Sequence, residues 1–207
     1  MLELFLQNPI VGLVVFGILL VSLSFHEAAH AFSAVKLGDD TPRFQGRLTL
    51  NPLAHLDPIG TLLLFFFGFG WGKPVMVNNF NFKNPRRDMM LVAFAGPLSN
   101  IVIAVISAIL LHYAGVNSVF YVIFYYVMSI NVLLAVFNLL PIYPLDGSKV
   151  LEGLLPYNLS KQFAETSKYG IYILLVLMIS KGFSVILNPL VTFVLELILF
   201  ITGLLPS

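Results

Sequence analysis

Three stretches of this chain, 8–38, 89–111 and 119–140, are nearly free of charge. Each is as long as the roughly 20 apolar residues that a helix needs to cross the hydrocarbon core of a bilayer. That property limits the fold more than any other, because backbone in lipid is satisfied only by helices or closed barrels. The first run opens on Asn8 and Pro9, a capping residue and a proline suited to a first helical turn. It closes at Gly38, which accepts the left-handed turn that ends a helix. The second opens at Asn84 and Pro85 and carries Gly96-Pro97 as an expected kink. The third stops at Pro141 and Pro144, neither of which continues a helix. Composition agrees: of 207 residues, 58% are hydrophobic and 10% charged, which leaves a soluble globule too little polar surface to cover itself.

Charge and cysteine content narrow the function. Net charge is +1, with no basic tail and no basic-aromatic interleaving, so nucleic acid is not an expected partner. The absence of cysteine removes disulfides, thiolate metal sites and cysteine nucleophiles together, so any metal must be held by nitrogen and oxygen. The opening MLELFLQNP has no basic residue ahead of its apolar run and no small-residue pattern behind it, so a cleaved signal peptide is not expected.

Between the first two spans lies PIGTLLLFFFGFGWG, 58–72, which is short for a crossing. If it dips in and returns, Lys36, Arg43, Arg47, Lys73, Lys83, Arg86, Arg87, Lys149, Lys161 and Lys168 share one face. The opposite loop, HYAGVNS at 112–118, then carries no lysine or arginine. Basic residues collect on the cytoplasmic side, so the amino terminus is expected outside. The flanking 43–52 and 72–82 alternate with period two between Gly, Pro and Asn, and predict two short strands. The fold expected is an all-α polytopic membrane protein, a bundle of about four to six membrane segments with a short re-entrant β-hairpin or sheet between the first two full spans. It forms a single membrane-embedded domain, 1–207, with a core at about 8–155 and further membrane segments, one or two, at about 165–205.

Within the first span stands HEAAH, 26–30. His26 and His30 are four apart, so on a helix their imidazoles project from one face and can close on one tetrahedral zinc. Glu27, next to the first ligand, is placed to take a proton from water activated by the metal and to return it. Uncompensated charge in a bilayer costs about 2.5–3.5 kcal/mol per residue, so such groups have partners and tasks. Catalytic zinc keeps three protein ligands, and two candidates exist for the third: His55, nearest downstream, and Asp146 in NLLPIYPLDGSKVL. The prolines ahead of Asp146 leave irregular backbone, tolerated at membrane depth only beside protein or a watery cavity. With the re-entrant topology the ends of the first and third spans share a face, so Asp146 can reach the histidines.

HEAAH at 26–30, GRLTLNPLAHLDPIGTLLL at 46–64, GWGKPVMVN at 70–78, NPRRDMMLVAFAGPLSN at 84–100 and NLLPIYPLDG at 138–147 together resemble the site-2 proteases. These are intramembrane zinc metalloproteases, and the likeness is to the compact group without PDZ or CBS domains. It covers most of 8–155. It implies one Zn2+ held by His26, His30 and Asp146, with Glu27 as general base and acid. It also implies that Asn138 binds substrate backbone or the developing oxyanion, and that the substrate is a transmembrane protein or peptide.

A peptide bond in a membrane helix is cut only after local unwinding, and a strand edge offers replacement hydrogen bonds. Arg47, Val75 and Val77 on the candidate strands are therefore expected substrate contacts; His55 either borders the site or is a turn histidine bonded to nearby backbone, and Asn100 either contacts substrate or satisfies a carbonyl freed by the Pro97 kink. Asn131 falls on nearly the same helix face as Asn138 and is expected to bond between helices. Glu196 is the one acid in the last apolar run, and either pairs with Lys181 or faces a polar groove. Phe65 to Phe67 are expected to face lipid. Two other functions fit buried His, Asp and Glu: a metal or proton transporter, and a protease-like protein that binds membrane helices without cutting. A transporter spreads polar groups between both faces, whereas here they gather near one. A non-cutting relative has no need of Glu27.

Overall fold

The computed structural model describes residues 2–67, 70–180 and 182–204. The helices are α1 (Leu2–Gln7), α2 (Pro9–Leu37), α3 (Thr41–Phe44), α4 (Pro52–His55), α5 (Pro58–Phe67), α6 (Pro85–Tyr113), α7 (Val119–Asn138), α8 (Asp146–Leu154), α9 (Tyr157–Ala164), α10 (Ser167–Ile179) and α11 (Gly182–Ile201). Four helices among the described residues are long and apolar enough to cross a membrane: α2, α6, α7 and the Ser184–Ile201 part of α11. The 13-residue α10 is shorter.

Helix ends follow the local chemistry. The Asn8 side chain accepts from the Val11 N–H at 3.2 Å, with Pro9 at the first helical position. Gly38 takes φ 110° at the other end of α2, a conformation that disfavours any side chain. At the start of α6 the Asp88 carboxylate accepts from the Asn84 N–H at 2.9 Å, so Asp88 supplies the bond that Asn84 itself does not.

Helix α6 packs between α2 and α7. Gly96, Asn100, Ala104 and Ala108 recur every four residues along it, and each is buried. Such small side chains let helices approach in a setting where lipid is as apolar as leucine. Ala104 and Ala108 meet Met128, Val132 and Val136 of α7, and Leu187 and Ile198 of α11 extend the same cluster. Small buried polar groups, Ser22, Ser24, Asn100, Ser107 and Asn131, lie inside the bundle, while leucine, valine and phenylalanine cover its outside. Glu196 is exposed on α11, and Lys181 lies outside the described residues. Phe65 packs edge-on against Phe5 and Phe16 at 5.6 Å each, so it joins α5 to α1 and α2 instead of facing lipid alone. Phe66 is 50% exposed.

The expected β-hairpin does not form. Among the described residues there is no strand, only an isolated antiparallel pair, Leu56 with Gly72. Residues 43–52 turn into α3 and α4, because Pro42 and the Asn51-Pro52 pair each start a helical turn. Residues 73–78 are extended, but their backbone donors go elsewhere: Lys73 N–H to the His55 carbonyl at 2.7 Å, Val75 N–H to Glu27 Oε2 at 3.2 Å and Asn78 N–H to Asp39 Oδ2 at 2.8 Å. Side-chain carboxylates thus stand where a neighbouring strand was expected. The Leu56–Gly72 pair also brings the chain back, after α5, to the place where it left.

Candidate metal centre

One face of α2 carries both His26 and His30, buried to 3% and 7% exposure. Asp146 reaches them from the first turn of α8, 120 residues away in sequence. Its Oδ2 lies 3.0 Å from His26 Nε2 and 3.2 Å from His30 Nε2, and the two Nε2 atoms are 3.0 Å apart. These three residues form a group able to hold a metal ion.

Their outer hydrogen bonds fix which atoms face inward. Asn100 Nδ2 donates to Asn131 Oδ1 at 2.8 Å, so Asn100 Oδ1 is the acceptor left for His26 Nδ1 at 2.6 Å. His30 Nδ1 donates to the Val92 carbonyl at 2.7 Å. With both Nδ1 atoms donating, both neutral imidazoles turn an Nε2 lone pair toward the same point. A carboxylate oxygen joins them. Three lone pairs facing one another at about hydrogen-bond distance repel unless a cation lies among them. A single proton bridges only one pair, whereas a divalent ion satisfies all three, so the donor set fits zinc.

Two glycines make the convergence possible. A Cβ on Gly96 would come within 2.6 Å of His26 Nε2 and 2.5 Å of His30 Cε1, so α6 approaches the imidazoles only because that residue has no side chain. A Cβ on Gly147 would meet the Leu140 carbonyl oxygen at 2.5 Å, which explains why a glycine follows Asp146 where α8 tucks under the end of α7. Arg86 Nε also donates to the Glu152 carbonyl at 3.0 Å and ties the start of α6 to α8.

The donors line a cavity of about 210 Å³ together with Glu27, Asn138, Lys149, Pro74, Val75 and Val77. Glu27 is half-buried, with one oxygen accepting from the Val75 N–H. Asn138 donates from Nδ2 to the Leu134 carbonyl at 2.9 Å, which leaves its second Nδ2 hydrogen and its oxygen for other partners.

Other candidates fall elsewhere. Asn100 is fully buried beneath His26, bonded on all sides, and does not line the cavity. Arg47 is buried with its guanidinium donating to the Ala54 carbonyl, holding the 47–54 turn and not a strand edge. His55 is buried, donates from Nε2 to the Thr49 carbonyl at 2.8 Å, and is outside both the donor group and the cavity wall. Asn131 bonds Ser22 of α2 and Asn100 of α6, joining three helices as expected.

The comparisons with known proteins agree with this chemistry. Residues 113–180 match peptidase family M50. A Bacillus subtilis (strain 168) protein named "Putative zinc metalloprotease YwhC" is 41% identical over 184 residues, 83% of each chain. The Mycolicibacterium smegmatis protein named "Putative zinc metalloprotease Rip2" is 31% identical over 79% of this chain and 65% of its own length. "Zinc metalloprotease MJ0392" of Methanocaldococcus jannaschii is 25% identical over 72% of this chain and 37% of its own length. No solved structure matches. By its likeness to YwhC across most of both chains, the protein belongs to peptidase family M50, the site-2 protease family.

Proposed function

We propose that this protein is a zinc-dependent intramembrane endopeptidase, which hydrolyses peptide bonds in or next to the transmembrane segment of a membrane protein. The observation that carries the reading is the meeting of three lone pairs, from His26, His30 and Asp146, at a cavity that Glu27 also lines, inside a bundle of membrane-length helices. Zinc held there acts as a Lewis acid and lowers the pKa of water, as peptide hydrolysis near neutral pH requires. Glu27 takes the proton from the attacking water and returns it to the leaving amine. Asn138, on the cavity wall, binds the substrate carbonyl as negative charge develops on its oxygen. Asn100 holds His26 so that Nε2 faces the metal.

The extended segment 73–78 offers backbone beside the cavity to a substrate that has unwound, so main-chain bonds lost from the substrate helix are replaced. Val75 and Val77 are its contact side chains. The protein lies in the bilayer as a multi-pass chain, with the amino terminus outside and the catalytic cavity near the cytoplasmic face, the side to which the re-entrant topology assigns ten of the eleven basic residues.

Reconstituted in liposomes with a single-pass transmembrane substrate, the protein is expected to cut it, to stop when a zinc chelator is added and to resume with zinc. Cutting that continues in excess chelator contradicts the reading. A second outcome concerns the support of the ligand. Asn100→Leu keeps the size but leaves His26 Nδ1 without its acceptor, and zinc affinity is expected to fall about 10–100-fold. Competition against a zinc-binding dye measures it, and an unchanged affinity removes Asn100 from the account.

A further inference from the structure

We infer that Asp39 is a positioning residue for substrate binding: it fixes the extended segment 73–78 as one wall of the metal cavity. The inference rests on the proteolytic reading above and adds the residue that holds its substrate-facing segment. An extended chain without a neighbouring strand has no ladder to keep it in place. Segment 73–78 is such a chain, and Pro74, Val75 and Val77 nevertheless line the cavity.

The His55 carbonyl holds Lys73 and Glu27 holds Val75; Asp39 supplies the tie at the far end, Asn78. Asp39 has no exposed surface and follows directly on Gly38, whose left-handed turn already ends α2. The Asp39 backbone is fixed there by its own N–H to the Ala34 carbonyl at 2.9 Å, so its side chain is free for another task. Oδ2 accepts from the Asn78 N–H at 2.8 Å; Oδ1 accepts from Asn81 Nδ2 at 2.7 Å and from Thr41 N–H and Oγ1 at 3.1 and 2.5 Å. No basic side chain pairs with it in the ion pairs among the described residues. Burial alone would raise this carboxyl, but the bonds from Thr41, Asn78 and Asn81 outweigh burial and hold it below the usual carboxylate range. An ionised group surrounded by neutral donors grips them more firmly than a neutral acceptor does. The anchor is set at the end of the same helix that carries His26, Glu27 and His30. It therefore gives segment 73–78 a fixed position relative to the reacting groups without touching them.

Asp39→Asn keeps the shape and replaces one acceptor oxygen by a donor that faces other donors. In liposomes, its KM for a single-pass substrate is expected to rise about tenfold, as for loss of one charge-assisted bond, with kcat within about twofold. Zinc per chain should stay unchanged. Amide hydrogen exchange should quicken in 73–81 while the interiors of α2 and α6 keep their protection, which a general loss of stability would not do. Asn81→Ala removes a single donor and should shift both readouts the same way by less, and it tests the claim even if Asp39→Asn fails to fold. Unchanged KM and unchanged exchange in 73–81 overturn the inference, as does a fall in kcat and zinc content at constant KM. A wild-type protein that cuts no substrate overturns the functional reading instead, and the exchange data still decide whether Asp39 holds the segment.

Discussion

Glu27→Gln is expected to lower kcat for a transmembrane substrate by about 10²–10⁴-fold, the usual contribution of a general acid–base group. The substitution is nearly isosteric, and glutamine keeps an oxygen able to accept from the Val75 N–H, so the cavity wall stays in place. What goes is the ability to take a proton and return it. Zinc content should not change, because Glu27 is not one of the three converging donors. Substrate binding should also survive, so KM stays close to wild type while turnover collapses. Single-turnover cleavage by the two proteins, with zinc measured in each, checks this outcome. Equal rates would end the protease reading and return the site to the transporter or binding alternatives.

The second large effect is expected at Asp146. Removing the carboxylate by Asp146→Ala leaves two imidazoles from one helix and should weaken zinc binding by more than the roughly 10–100-fold typical of an outer support. Helix α2 should be undisturbed, since His26 and His30 keep their Asn100 and Val92 partners. The effect therefore reports whether a residue beyond α7 completes the site. Titration against a competing chelator measures it, and wild-type affinity in the variant would show that the third ligand lies elsewhere.

Sequence revealed the parts of this structure that follow from local chemistry. Helices α2, α6 and α7 were legible because an apolar run of membrane length with Asn-Pro at its start, or Gly or Pro at its end, admits few other shapes. The meeting of His26, His30 and Asp146 was legible in two steps: spacing for His26 and His30, and proline-broken backbone with its family likeness for Asp146.

The strands were misread for a physical reason. Alternation at 72–82 misses the 3-10 turn at Asn79–Asn81, and ahead of it alternation does not say what the N–H groups bond to: Val75 and Asn78 meet Glu27 and Asp39, tens of residues away. At 43–52 the prolines and Asn51 won over the alternation and made helical turns. Asn100 reads as a candidate substrate contact beside the Pro97 kink, yet its task depends on His26, 74 residues distant, which spacing does not disclose. Asp39 was passed over. Its local signal, an acid just after a helix-ending glycine and two before a threonine, marks a side chain that bonds back to the backbone. Its distant partners, Asn78 and Asn81, had no such mark.

The central claim is that His26, His30 and Asp146 share one ion. X-ray absorption at the zinc edge tests it most directly. The wild-type spectrum should show two imidazoles and oxygen ligands at about 2.0–2.2 Å, and His30→Ala, if it still takes up zinc, should show one imidazole. A wild-type spectrum with fewer than two imidazoles, or two that persist in His30→Ala, would contradict it.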